Sequence, residues 1–131
     1  MATQFITLAE AIQMTTKYRE NREAILDPRY RDQNILPICE SFDRDVFDKV
    51  LAQEGCAGLR TYLGMDDSLL VKVIVVGVDA NGRDMLPATS NNNAARAAST
   101  STTDPGSGNE GLIIENGIRC PTNCPPSSDL N

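Results

Sequence analysis

The residues of this 131-residue chain with the most direct chemistry are its four cysteines, Cys39, Cys56, Cys120 and Cys124. The last two are separated by three residues, so they do not make the two-residue-spaced motif of thioredoxin-like sites. A C-x₃-C pair with no histidine and no second close pair is a weak zinc pattern, because a structural zinc wants four thiolate or imidazole ligands. Cys39 and Cys56 would complete such a set only if the tail folds back onto the rest of the chain. A bridge between Cys120 and Cys124 suits an oxidising compartment, and its loop is too short to add much stability. Cys120 and Cys124 are therefore the candidate redox pair. Cys39 and Cys56 read as small apolar core residues. No metal and no cofactor is expected.

The remaining chemistry-bearing groups are sparse. The chain has no histidine, which removes Ser-His-Asp and Cys-His catalysis and the commonest general base and metal ligand. Asp66 with Asp67, and Asp79 with Asp84, are carboxylate pairs at turn positions. The run Asp79 to Asp84 begins like a calcium loop, but its glycine falls at the fourth position instead of the sixth and no glutamate follows at the twelfth. Gly55, Gly58 and Gly64 have neither the spacing nor the lysine of a phosphate loop. Arg60 and Tyr62 share one face of a strand, and with Lys72 beside them they could hold an anion. A solvated face with cross-strand pairs to acids is the plainer reading. No catalytic residue is assigned.

The elements that position these groups follow from periodicity. Thr7-Leu8-Ala9-Glu10 fits a capping box, so a helix is expected from about Leu8. Leu8, Ala11, Ile12, Thr15, Tyr18 and Ile25 form its apolar stripe, and Met14 with Tyr18 reads as core edge. Asp27-Pro28 is expected to end the helix. Ile35 to Cys39 is a short extended piece, placed at an edge by Pro37. A second helix is expected after Asp43 as N-cap, with Phe42 and Phe47 as a hydrophobic staple and Gly55 as the left-handed stop. Leu59 to Leu63 reads as a strand. Leu69 to Val78 is the strongest strand, and Arg83 to Leu86 returns after an Asn81-Gly82 type I′ hairpin. The fold class is thus α+β: two helices on a three-stranded antiparallel meander over residues 1–87. Residues 88–111 read as a low-complexity flexible linker. Residues 112–131 are an apolar island and a Cys/Pro-rich tail.

Composition narrows the function. The net charge of −6 and a pI of about 4.5 oppose nucleic-acid binding and attachment to an anionic membrane, both of which need basic surface. No apolar run reaches the length of a membrane span, and the segment Met1 to Leu8 lacks the features of a secretory signal, so the expected compartment is the cytoplasm.

Asn34 to Cys39, Phe42-Asp43-Arg44, Glu54-Gly55-Cys56, Val76 to Asp79 and the final Cys-Pro-x-x-Cys-Pro-Pro together resemble a group of short bacterial proteins of unknown function. The resemblance implies a bacterial source and no activity or residue role.

The strand at Val71 to Val78 is apolar on both faces apart from Lys72, as in a central strand covered on both sides. Two short helices cover one face. The Leu112-Ile113-Ile114 island, from the same chain or a neighbour, is the expected cover for the other face or for the edge beside it. The reading is a non-enzymatic interaction or structural protein that self-associates by strand addition from its tail, with Leu112, Ile113, Ile114, Val73 and Val75 as candidate contacts. A neighbouring copy is the expected acceptor. Its partners would be copies of itself or another protein. The rival readings are a thiol-redox or metal-binding role for Cys120 and Cys124, and a small acidic inhibitor or immunity-type protein.

Overall fold

A computed structural model describes residues 3–88 and 111–131. The expected linker, 88–111, lies outside the described residues except for Ala88 and Gly111. The architecture is α+β, with two α-helices and a three-stranded antiparallel sheet to which the tail contributes a further short strand. Contacts divide the chain into two compact units. Among the described residues, one comprises 3–41, 65–72 and 118–131, and the other 42–64, 73–88 and 111–117.

In the first unit, helix α1 spans Leu8–Asn21. Its capping box forms as the sequence dictates: the Thr7 amide donates to Glu10 Oε2 at 2.8 Å, and the Glu10 amide donates to Thr7 Oγ1 at 3.2 Å. The helix stops well short of Asp27-Pro28. Arg22 at its C-cap and Arg31 from the following segment bond around this end. The Arg22 guanidinium donates to the Leu36 carbonyl at 3.1 and 2.8 Å, and Arg31 takes up the carbonyls of Glu23, Ala24 and Leu26. The Arg31 contacts satisfy carbonyls that a continuing helix would have bonded internally, and the Arg22 contact ties the helix end to the extended segment at Leu36. Pro28 instead opens a short 3₁₀ turn, Pro28–Tyr30, capped by Asp27. The middle of the expected stripe, Ala11 to Tyr18, is half-buried, whereas Leu8, Met14 and Ile25 are exposed.

A two-stranded ladder completes this unit. Strand β1, Cys39–Ser41, pairs antiparallel with a tail strand, β6, Ile118–Cys120, placing Cys39 opposite Cys120. The buried Arg119 guanidinium donates to the carbonyls of Asn34, Ile35, Val71 and Pro121. Four backbone acceptors of one unit, that of buried Ile35 among them, are thus gathered on a single charged group, whose hydrogen bonds are stronger than neutral ones.

In the second unit, helix α2 spans Arg44–Leu51. Asp43 holds the N-cap position but makes no side-chain cap bond. The staple is present, with the Phe42 and Phe47 ring centroids 5.6 Å apart. Gly55 adopts φ +83 as expected, yet the helix has already closed at Leu51, so the glycine serves the turn into the next strand.

Strands β2 (Cys56–Met65), β3 (Val71–Asp79) and β4 (Asp84–Met85) form the meander. The turn after β3 differs from a type I′ pair. Only Gly82 has positive φ (+76), the Gly82 amide donates to the Asp79 carbonyl at 3.0 Å, and the Asp79 amide to the Arg83 carbonyl at 2.9 Å. This is a three-residue loop, Ala80 to Gly82, with glycine at the left-handed position. Strand β5, Ile113–Ile114, adds antiparallel to β3 with Val75 opposite Ile114 and Val76 opposite Ile113. Strands β4 and β5 therefore lie on successive stretches of the same β3 edge. The core is Val50, Val75 and Ile114, with Phe42, Val46, Phe47, Val73 and Leu112 packed around it. Val73 and Val75 face α2, as their shared parity requires.

Candidate functional site

The best-built feature outside the turns is the seat of the tail strand on β3. Gly111 leads into it so closely that a Cβ there would lie 2.0 Å from the Met85 carbonyl oxygen. Only glycine lets backbone approach backbone in this way. The next residue, Leu112, donates its amide to Gln53 Oε1 at 2.9 Å, while Gln53 Nε2 donates to the Val50 carbonyl at 2.9 Å. One side chain on the turn after α2 thus ties the tail to the helix that covers the sheet. Ile114 then inserts between Val50 and Val75 and is 7 % exposed, whereas Ile113, on the opposite face, is 53 % exposed. Of the candidate self-association residues, Val75 and Ile114 are buried, Val73 and Leu112 half-buried and Ile113 exposed. The island is docked on the sheet edge of its own chain.

Other groups singled out by type resolve into structural roles. Arg60 donates to Asp84 and to the Gly82 carbonyl, and the Tyr62 hydroxyl donates to the other Asp84 oxygen. The Tyr62 hydroxyl and the Arg60 guanidinium hold the Asp84 carboxyl below the usual carboxylate range. The pair that could have gripped an anion is occupied by an acid of the neighbouring strand. Lys72 lies 3.9 Å from Asp66. Asp66 Oδ1 accepts from the Ser68 and Leu70 amides at 2.9 and 3.0 Å, and Asp79 Oδ1 from the Asn81 and Arg83 amides at 2.8 and 2.9 Å. Both aspartates close turns.

The Tyr18 hydroxyl donates to the Pro37 carbonyl at 2.6 Å, beside a shallow depression bordered by Met14, Lys17, Asn21 and Ile25. Among the described residues, no group of three or more cysteine, aspartate or glutamate side chains is gathered as a metal would need.

The cysteines divide unequally. Cys120 and Cys124 are joined by a disulfide; Cys39 and Cys56 are free. Cys56 Sγ donates to the Gly58 carbonyl at 3.3 Å. Sequence reasoning missed the placement of Cys39 opposite Cys120, because strands of three residues carry no readable alternation.

Among the described residues, no helix is long and apolar enough to cross a membrane. No family model matches the chain, and no curated protein and no solved structure matches it either.

Proposed function

We propose that this chain is a non-enzymatic interaction or structural protein that self-associates by exchanging its C-terminal strand between copies. The observation that carries the reading is the seat of Ile114. A two-residue strand, distant in sequence from its acceptor, completes the core of the unit through main-chain pairing and one buried side chain. Reciprocal exchange of such a segment preserves every pairing it makes within one chain, which is the low-cost route to an oligomer.

A second surface suits self-association. Strand β2 is ten residues long, ends the sheet, and exposes Leu59, Leu63 and Met65. Long apolar edge strands are the usual sites of sheet-to-sheet pairing. On this reading its partners are copies of itself or another protein.

Light scattering on the full chain and on a chain ending at Ala88 tests the proposal. The full chain should be oligomeric. The truncated one should lose mass or aggregate through its bare β3 edge. Equal mass and equal stability for the two would end it.

A thiol-redox role for Cys120 and Cys124 is the second reading, supported by the bridge between them and by the free Cys39 across the ladder.

A further inference from the structure

We propose that Cys39, Cys120 and Cys124 form a thiol–disulfide exchange site in which Cys39 attacks the Cys120–Cys124 bridge and uncovers the Cys124 thiol at the surface. The inference rests on the thiol-redox reading and adds to it a third, internal cysteine.

The geometry begins with register. Cys39 and Cys120 are directly opposed in an antiparallel ladder, so their side chains share a face. Directly opposed residues have Cα atoms about 4.5 or 5.5 Å apart, and both separations fall inside the roughly 4.4–6.8 Å that a disulfide spans. The existing Cys120–Cys124 bridge spans 4.4 Å between Cα atoms. Cys120 can therefore bond to either neighbour with little backbone movement. The thiol needed for the change is present, since Cys39 is free.

Burial sets the direction. Cys120 is 1 % exposed and Cys39 half-buried, whereas Cys124 lies at the surface. An external thiol has poor access to the Cys120 sulfur; Cys39, held opposite it, does not have to approach from solvent. Exchange requires a thiolate attacking one sulfur while the other leaves. Cys39, having lost its proton to water, bonds to Cys120 Sγ. The Cys120–Cys124 bond breaks, its electron pair leaves on Cys124 Sγ, and that sulfur takes up a proton from water. One disulfide and one thiol are present before and after, so no oxidant or reductant is consumed. The result is that the free thiol moves from a half-buried strand to an exposed tail. There it meets disulfide-bearing molecules or soft electrophiles that Cys39 would not.

The test uses the oxidised full chain at mildly alkaline pH. N-ethylmaleimide marks free thiols, reduction and iodoacetamide then mark the bridged ones, and fragmentation of the tryptic peptides locates both tags. Cys56, which is free, serves as the labelling reference. The expected result is maleimide on both Cys39 and Cys124, a linked peptide joining residues 32–44 to 120–131 before reduction, and loss of the Cys124 maleimide in Cys39→Ser. The linked peptide is read in the unsubstituted chain, so a folding defect in Cys39→Ser does not blunt the test. A closed Cys120–Cys124 bridge with maleimide on Cys39 and the Cys56 reference but not on Cys124, and no linked peptide, would overturn the exchange while leaving the redox pair intact. A Cys120–Cys124 pair that stays open under oxidant would overturn both.

Discussion

Replacing Ile114 by alanine isolates the contribution of the tail to the folded unit. Ile114 is 7 % exposed and packs on Val50 and Val75. Truncation removes three buried carbons, which at about 0.8 kcal/mol each come to about 2.4 kcal/mol of lost burial. Residual cavity adds to this, and large-to-small changes of this kind cost about 2–5 kcal/mol overall. The value expected here is about 3 kcal/mol, because half-buried Val73 and Leu112 can relax only partly into the space. In urea, with a slope of about 1.3 kcal/mol per M, the unfolding midpoint should fall by about 2 M with the slope unchanged. Ile113, one residue away on the opposite face and 53 % exposed, is the internal control and should cost about 1 kcal/mol or less when truncated. Equal midpoints for the two variants, or an Ile114→Ala protein within about 0.5 kcal/mol of the parent, would show that the tail strand is not part of the core.

Val75→Asp should abolish the cooperative unfolding transition in circular dichroism, since it places a charge without a partner at a position 1 % exposed. Gly111→Ala should undock the tail, because its Cβ would meet the Met85 carbonyl oxygen at 2.0 Å; hydrogen exchange at the Ile113 and Ile114 amides should accelerate while that of central β3 amides facing β2 changes least. The folded-state pKa of Asp84 lies below its unfolded value, so the stabilisation it provides is complete above the unfolded value and is lost as pH falls through the folded one. Acid titration of Asp84→Asn should accordingly show a shallower loss of stability over that window than the parent, and an identical profile would exclude Asp84 as a contributor.

Local chemistry made part of this fold legible. The Thr7–Glu10 box, the Phe42–Phe47 staple and the β-branched run of β3 each carry their signal within a few residues. Tertiary contacts decided what was missed. Helix α1 ends early, with the carbonyls of Glu23, Ala24 and Leu26 taken up by Arg31, which no window centred on Asp27-Pro28 reveals. The Ala80–Gly82 loop departs from type I′ because asparagine occupies either sign of φ, so Asn81-Gly82 announces a turn without fixing its type. Strands β1 and β6 are too short to alternate, and with them went the opposition of Cys39 and Cys120. Arg119 carried no pattern at all: an isolated arginine in a polar tail gives no hint that it gathers four backbone carbonyls. For the site, sequence reasoning reached the Leu112–Ile114 island, through its apolar content, and the need of β3 for cover. The glycine that admits it and the glutamine that tethers it emerge only from the packing.

The central claim is exchange of the tail strand between copies, and the pairing register supplies a direct test. Val76 and Ile113 are opposed across the β3–β5 ladder, so cysteines at both positions can be oxidised to a bridge that records which chain donated the strand. Oxidation of Val76→Cys with Ile113→Cys should give covalently linked multimers on a non-reducing gel, dispersed by reductant and absent from either single variant. Quantitative bridging that leaves only covalent monomer, at every protein concentration, would contradict the account.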